Sequence, residues 1–242
     1  MYAIKTIDLT KKYKDVTAVD RLNLQVKKGE LISLLGVNGA GKTTTIKMLS
    51  CLTQPTKGDA FLNENSICKE PESVKSIIAV SPQETAVAPG LTVKENLELI
   101  CGIYGVAKKK GKEKTAQLTD LLGLSAVSDK KAGKLSGGWQ RRLSIAMALI
   151  SEPEILFLDE PTLGLDVLAR SELWDLIRSL KGKITIVLTT HYMEEAQSLS
   201  DRVAIMKEGK LLVCETADKI KEIAQADNFE QAFIRIVKGE MQ

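Results

Sequence analysis

Gly36-Val37-Asn38-Gly39-Ala40-Gly41-Lys42-Thr43-Thr44 follows directly on the apolar run Leu31-Ile32-Ser33-Leu34-Leu35, and its reading decides the fold. Gly36, Gly41, Lys42 and Thr43 stand at the spacing G-x-x-x-x-G-K-[ST], which lets consecutive backbone N–H groups turn inward around a polyphosphate. A β-carbon at the glycine positions is expected to block that wrap. A buried strand precedes the stretch and a helix-compatible segment, Lys42 to Leu52, follows it. The expectation is a phosphate-binding loop, with backbone from Gly36 through Asn38, Gly39, Ala40 and Gly41 to Thr44 as the cradle. Lys42 reaches the outer phosphates, the Thr43 hydroxyl binds Mg²⁺, and the helix points the positive end of its dipole at the anion.

Working outward, Ile4 to Ile7 and Leu22 to Val26 are short strand candidates, and Lys28-Gly29-Glu30 turns the chain into the phosphate-loop strand. This start predicts an antiparallel sheet edge. Beyond the loop helix, Pro55 to Asp59 is a turn, Ala60 to Leu62 a short strand, and Ile77 to Val80 a buried strand ending at Ser81-Pro82-Gln83. Gln83 therefore sits at a strand end.

From Thr92 to Ile150 the pattern turns helical, opening on the capping box Thr92-Val93-Lys94-Glu95. A second helix is expected over Lys112 to Leu122 and a third, opened by Leu135-Ser136-Gly137-Gly138, through Leu143, Met147 and Ile150. Strands return at Glu154 to Leu158 and Ile184 to Thr190, separated by a helix with Leu173, Ile177 and Leu180 on one face. Arg202 to Met206 and Lys210 to Cys214 form a hairpin around Glu208-Gly209. Alternating strands and helices predict a mostly parallel sheet with crossover helices.

Of 242 residues, 44% are hydrophobic and 27% charged, ordinary for a globular protein. A net charge of +3 is too small to point to nucleic acid. The basic cluster Lys108-Lys109-Lys110, Lys112 and Lys114 reads as a solvated loop. Cys51, Cys68, Cys101 and Cys214 lie far apart with no C-x-x-C pair, which argues for reduced thiols rather than a zinc or redox site. The N-terminus has no apolar signal core, and no apolar run approaches the ~18 residues of a membrane span, so the chain by itself is expected to be soluble.

The chemistry gathers at strand ends. Asp159 and Glu160 close the apolar run Ile155 to Leu158, and neighbouring strand side chains point in opposite directions, so the two carboxylates can serve different atoms. Asp159 is expected on Mg²⁺, and Glu160 on the water that attacks the γ-phosphate, as its general base. His191, the single histidine, ends the strand Ile184 to Thr190 and is expected on the γ-phosphate. Ser136-Gly137-Gly138 opens a helix and so offers a second anion site.

Taken in order, the phosphate loop, Gln83, Leu135-Ser136-Gly137-Gly138, Asp159-Glu160, Gly164-Leu165-Asp166 and His191 resemble the ATP-binding cassette family over nearly the whole chain. The resemblance implies an α/β fold: a P-loop NTPase (RecA-like) core with an N-terminal antiparallel β subdomain and an inserted helical subdomain. One domain over 1–242 is then expected, with β subdomain and core in 1–83 and 151–220, helical subdomain in 84–150 and a C-terminal tail in 221–242. It implies ATP and Mg²⁺ as ligands, Tyr13 stacked on adenine, and Gln83 sensing metal and water while coupling to a partner. Ser136, Gly137 and Gly138 contact the nucleotide of a second cassette in a head-to-tail dimer, and Asp166, grouped with the nucleotide-binding residues, sits in the communicating dimer loop. Trp139 stands where the family's signature most often has glutamine, and Leu163 where a small or polar residue is usual before Gly-Leu-Asp.

The function implied is the ATPase subunit of a membrane transporter of the drug, antibiotic, sodium or polysaccharide exporter type. It would work at the cytoplasmic face through a separate transmembrane permease subunit, with a second copy of itself or a related cassette. The alternatives are a soluble DNA- or ribosome-associated machine and a nucleotide-gated assembly module without turnover. Low net charge and a single cassette argue against the first, and the presence of both Asp159 and Glu160 against the second.

Overall fold

Two sheets share one hydrophobic cluster behind the phosphate loop in the computed structural model, which describes residues 1–240. Strands β1 (Tyr2–Tyr13), β2 (Val16–Leu22), β3 (Gln25–Lys27) and β4 (Leu31–Leu35) lead into helix α1 (Lys42–Leu49). Then come β5 (Lys57–Leu62), β6 (Asn65–Ser66), α2 (Pro71–Ile77) and β7 (Ile78–Ser81). Helices α3 (Val93–Ile103), α4 (Lys108–Leu121) and α5 (Gly137–Leu149) follow. The chain closes with β8 (Ile155–Asp159), α6 (Val167–Leu180), β9 (Thr185–Thr190), α7 (Met193–Leu199), β10 (Arg202–Lys207), β11 (Lys210–Glu215), α8 (Ala217–Ile223) and α9 (Phe229–Lys238).

The larger sheet has the order β11-β10-β4-β9-β8-β7, and only its β10–β11 pair is antiparallel. Every residue of β4, β8 and β9 is buried, as a parallel sheet covered on both faces requires. Register sets the site: Leu35 pairs with Thr190 and Asp159 with Thr189. The carboxyl ends of β4, β8 and β9 therefore share one edge, where open α/β sheets bind ligands.

The smaller sheet is antiparallel, in the order β2-β1-β5-β6 with β3 also on β1. Its Ile4, Leu9, Leu22 and Val26 pack in the same cluster as Ile32, Leu34, Phe157 and Val187 of the larger sheet. Between β7 and β8 the described chain forms no strand. There α3 begins on the predicted capping box, with Thr92 Oγ1 accepting from Glu95 N and Glu95 Oε2 from Thr92 N. Leu97, Leu122 and Leu143 of this stretch join Leu156 and Leu188 in a second cluster.

Several local expectations are corrected. The strand expected over Ile4–Ile7 runs from Tyr2 to Tyr13, because it pairs with β2, β3 and β5 in turn. Leu22 to Val26 is not one strand: β2 ends at Leu22 and β3 starts at Gln25, although Leu22, Leu24 and Val26 are all buried. Ile77 ends α2 rather than opening β7. The lysine cluster is not a loop but the first half of α4, where Gly111 and Thr115 face inward, Lys108, Lys109, Lys110 and Lys112 outward, and Lys114 is half-buried in an ion pair with Glu152. Residues 217–223 and 229–238, across the boundary drawn at 220 and into the tail of 221–242, for which no element was predicted, are helices capped by Thr216 and Asn228 side chains.

Candidate nucleotide site

The phosphate loop leaves β4 and enters α1 through Gly39 and Gly41, both left-handed at φ +82° and +100°. A Cβ at Gly39 would meet no atom of the protein itself, and the left-handed backbone there favours glycine. At Gly36 and Gly41 a Cβ would strike the Met206 and Ala18 carbonyls, so the obstruction comes from the protein's own chain. The Lys42 ammonium folds back over the loop and donates to the Gly36 carbonyl at 2.8 Å and the Val37 carbonyl at 3.3 Å. Burial pushes this ammonium below the ordinary lysine value, and Glu160, with Oε1 3.7 Å away, pulls in the opposite direction.

Asp159 Oδ1 accepts from Thr43 Oγ1 at 3.1 Å and from Thr189 Oγ1 at 2.5 Å. A hydroxyl and a carboxylate side by side, with no nitrogen or sulfur, form an oxygen donor pair suited to Mg²⁺ completed by phosphate and water. The next residue turns sharply. Glu160 has φ +47°, an uncommon value for a residue with a β-carbon, and its N–H is held by the Thr189 carbonyl and hydroxyl at 3.1 and 3.0 Å. That turn carries the Glu160 carboxylate away from Asp159 to a place between Lys42 and His191. His191 Nδ1 lies 3.3 Å from Glu160 Oε2, outside hydrogen-bond geometry, and is buried without a partner.

A cleft of about 820 Å³ brings together residues 38–44 of the loop with Gln83, Glu160 and His191. It also takes in Val16, Thr17 and Ala18 of β2, which the sequence did not single out. Tyr13 is outside the lining, half exposed at the end of β1, with the Lys11 ammonium 5.0 Å from its ring centre. Ser136, Gly137, Gly138 and Asp166 are also not in this cleft. They form a second group at the starts of α5 and α6. A Cβ on Gly138 would come within 3.0 Å of Ala169, and Asp166 caps α6 by accepting from Ala169 N at 2.9 Å.

Sequence reasoning missed three contributors. Arg141, buried in α5, donates to the carbonyls of Pro82 at 2.6 Å and Gln83 at 2.5 Å. Burial pushes its guanidinium below the usual arginine value. Ser144 and Ser81 hydroxyls bond at 3.0 Å and tie α5 to β7 a second time. Thr189 was visible only as one more residue of a buried strand. Trp139 packs on the helical cluster, with the Arg142 guanidinium 5.1 Å from its ring centre and paired at 2.6 Å with Glu172.

The family model described as ABC transporter matches residues 19–163, more than half of the chain. The daunorubicin/doxorubicin resistance ATP-binding protein of Streptomyces peucetius is 40% identical over 220 residues, 90% of this chain and 67% of that protein. A multidrug ABC transporter ATP-binding protein of Escherichia coli is 37% identical over 240 residues, 97% of this chain but only 41% of that protein. Among solved structures, a dimeric ATP-binding cassette in a post-hydrolysis state bound to ADP and Pi matches with a TM-score of 0.78 and 28% identity, covering 88% of this chain and 98% of that one. On the site geometry and these matches together, the chain belongs to the ABC transporter family and is an ATP-binding, ATP-hydrolysing cassette.

Proposed function

We propose that this chain is the ATPase subunit of an export transporter. It works at the cytoplasmic face of the membrane through a separate transmembrane permease subunit, paired head to tail with a second copy of itself or a related cassette. The observation that carries the chemistry is the position of the Glu160 carboxylate, 3.7 Å from the Lys42 ammonium and 3.3 Å from the His191 ring, on the wall of the phosphate-loop cleft.

In this reading Lys42 exchanges its two loop carbonyls for outer phosphate oxygens, while N–H groups of residues 38, 39 and 41–44 hold the rest of the polyphosphate. The Ala40 N–H is bonded to the Val37 carbonyl at 3.1 Å, and Gly36 lies outside the cleft lining. Glu160 orients the attacking water and takes its proton. His191, with Nδ1 beside Glu160, has Nε2 free to donate to the γ-phosphate. Thr43, Asp159 and Gln83 would hold Mg²⁺, which when bound neutralises charge on the phosphates. Tyr13 stacks on adenine from the rim. Ser136, Gly137, Gly138 and Asp166 face the partner cassette's nucleotide, a reading supported by their absence from this chain's own cleft and by the dimeric neighbour.

The relatives' names, one tied to daunorubicin and doxorubicin resistance and one to multidrug transport, support an amphipathic drug as the exported class. Affinity purification of the chain from detergent-solubilised membranes tests the assembly. Recovery of a multi-span membrane protein whose vesicles accumulate doxorubicin on ATP addition supports the reading; recovery of ribosomes or DNA alone overturns it.

A further inference from the structure

Glu195 lies in α7, four residues after His191, and is fully buried. None of the steps above uses it. Its Oε1 accepts from Trp174 Nε1 of α6 at 3.1 Å. Its Oε2 has no partner in hydrogen-bond geometry, although the hydroxyls of Thr190 and Thr162 both face the carboxyl. Thr162 Oγ1 is itself buried and unpaired, and so is Nε of the neighbouring Arg170, whose guanidinium lies 4.8 Å from the Tyr192 ring centre.

Buried polar atoms are nearly always paired, so three orphans around one carboxyl call for an explanation. The chain path supplies one. Thr162 is on the short segment between Glu160 and Asp166, Thr190 immediately precedes His191, and Trp174 and Arg170 belong to the helix that Asp166 caps. One carboxyl thus stands where three segments meet, carrying the water-activating carboxylate, the phosphate-facing histidine and the partner-facing aspartate.

We infer that Glu195 is a positioning residue, which fixes the 161–166 segment against the His191 segment through the hydroxyls of Thr162 and Thr190. It touches neither phosphate nor water. Burial also pushes its carboxyl above the ordinary carboxylate range, which favours an O–H able to donate to a threonine oxygen. Glutamine is the neutral mimic of that form, since its amide donates and its carbonyl accepts from Trp174.

Steady-state ATP hydrolysis by the full chain tests this. Thr162→Val and Glu195→Met are expected to lower kcat roughly 10-fold or more, the scale of misplacing a reacting group, with KM for ATP unchanged. Glu195→Gln is expected to stay within about threefold of the parent, because its hydrogen bonds survive. Thr162→Val removes one hydroxyl at constant shape, so it remains informative should Glu195→Met not fold. Parent kcat in Thr162→Val overturns the inference. So does a Glu195→Gln chain as impaired as Glu195→Met, or a parallel loss of kcat, KM and melting temperature. The inference rests on assigning Glu160 and His191 to hydrolysis, and the two fail separately. Glu160→Gln at parent turnover sinks that assignment, whereas Thr162→Val at parent turnover in a chain that needs Glu160 sinks this inference alone.

Discussion

Arg141 holds Gln83 by its backbone: the guanidinium donates to the Gln83 carbonyl at 2.5 Å and to the Pro82 carbonyl at 2.6 Å. The same helix α5 begins at Gly137, so one rigid element joins Ser136-Gly137-Gly138 to the Gln83 end of β7. A rearrangement at either group is therefore expected to be transmitted to the other.

Arg141→Lys tests the clasp while keeping the charge. A single ammonium lacks the planar fork that satisfies two adjacent carbonyls, so one part-buried hydrogen bond is lost at a cost of about 0.5–1.5 kcal/mol. At about 2–4 °C per kcal/mol for a chain of this size, the melting temperature should fall by a few degrees. ATP affinity at the phosphate loop should hold while turnover falls roughly 10-fold, since the Gln83 side chain loses its support. Parent turnover in a normally folded Arg141→Lys protein would count against the coupling.

Lys42→Ala removes the cation of the phosphate cradle and leaves its backbone intact. Micromolar ATP binding should disappear, read with a fluorescent ATP analogue. The thermal shift tells the same story independently: ligand at 100 times its Kd stabilises a binding-competent chain by about 2.7 kcal/mol, and this variant should show none of that shift.

His191→Ala should bind ATP with nearly parent affinity and turn over roughly 10²-fold more slowly, as when one donor to developing charge is lost from a preorganised site. Single-turnover hydrolysis at saturating ATP isolates the chemical step. A rate near the parent's would return His191 to a packing role.

The site's legibility in the sequence followed the physics of each part. The phosphate loop and the ends of β4, β8 and β9 were readable because these strands are buried on both faces, and an uninterrupted apolar run ending in polar residues marks where such a strand meets ligand. The start of helix α4 was not readable: the helix was expected from Lys112, whereas it begins at Lys108. Its inward positions include Gly111, Thr115 and Thr119, and Gly111 packs so closely that a Cβ would come within 3.2 Å of Cys101. A helix seated on glycine and threonine shows no leucine periodicity, so the lysines dominated the pattern. The tail helices were hidden differently: Phe229, Ala232 and Ile236 are buried against Val203 and Ile205 of β10, a partner that local pattern does not reveal. Arg141 and Glu195 have their partners in tertiary neighbours dozens of residues away or across helices, and nothing in Gln140-Arg141-Arg142 or Glu194-Glu195 marks the fully buried member.

Glu195 also predicts a pH dependence with a definite sign. Below its ordinary value of 4.5 the carboxyl is protonated in folded and unfolded chains alike. As pH rises past that value the unfolded chain ionises while the folded one, its carboxyl raised by burial despite the facing Arg170 and the nearby Arg141, keeps its proton. The stabilising contribution is therefore whole below the unfolded value and lost as pH climbs through the folded one. Glu195→Gln lacks this loss, so its melting temperature should gain on the parent's with rising pH and then run parallel. A difference that is flat from pH 4 upward would remove the buried, raised carboxyl from the account.

Glu160→Gln keeps the size and reach of the side chain but cannot take the water's proton. The substitution leaves Lys42 and the backbone cradle in place, so ATP should still bind. General-base catalysis is worth about 10² to 10⁴ in rate, enough for bound ATP to accumulate once it is lost. If Ser136-Gly137-Gly138 and Asp166 complete the partner's site, each trapped ATP becomes part of an interface and stabilises the dimer by linkage. The variant should then shift from monomer to dimer on adding ATP, measured by size-exclusion chromatography with light scattering. ADP should leave it monomeric, because it lacks the γ-phosphate that both cassettes grip. Adding Ser136→Arg should abolish the dimer without touching the phosphate loop, which ties assembly to the start of α5. A Glu160→Gln chain that binds ATP yet stays monomeric, alone and with its permease subunit present, would leave the second group of residues without the role assigned to it.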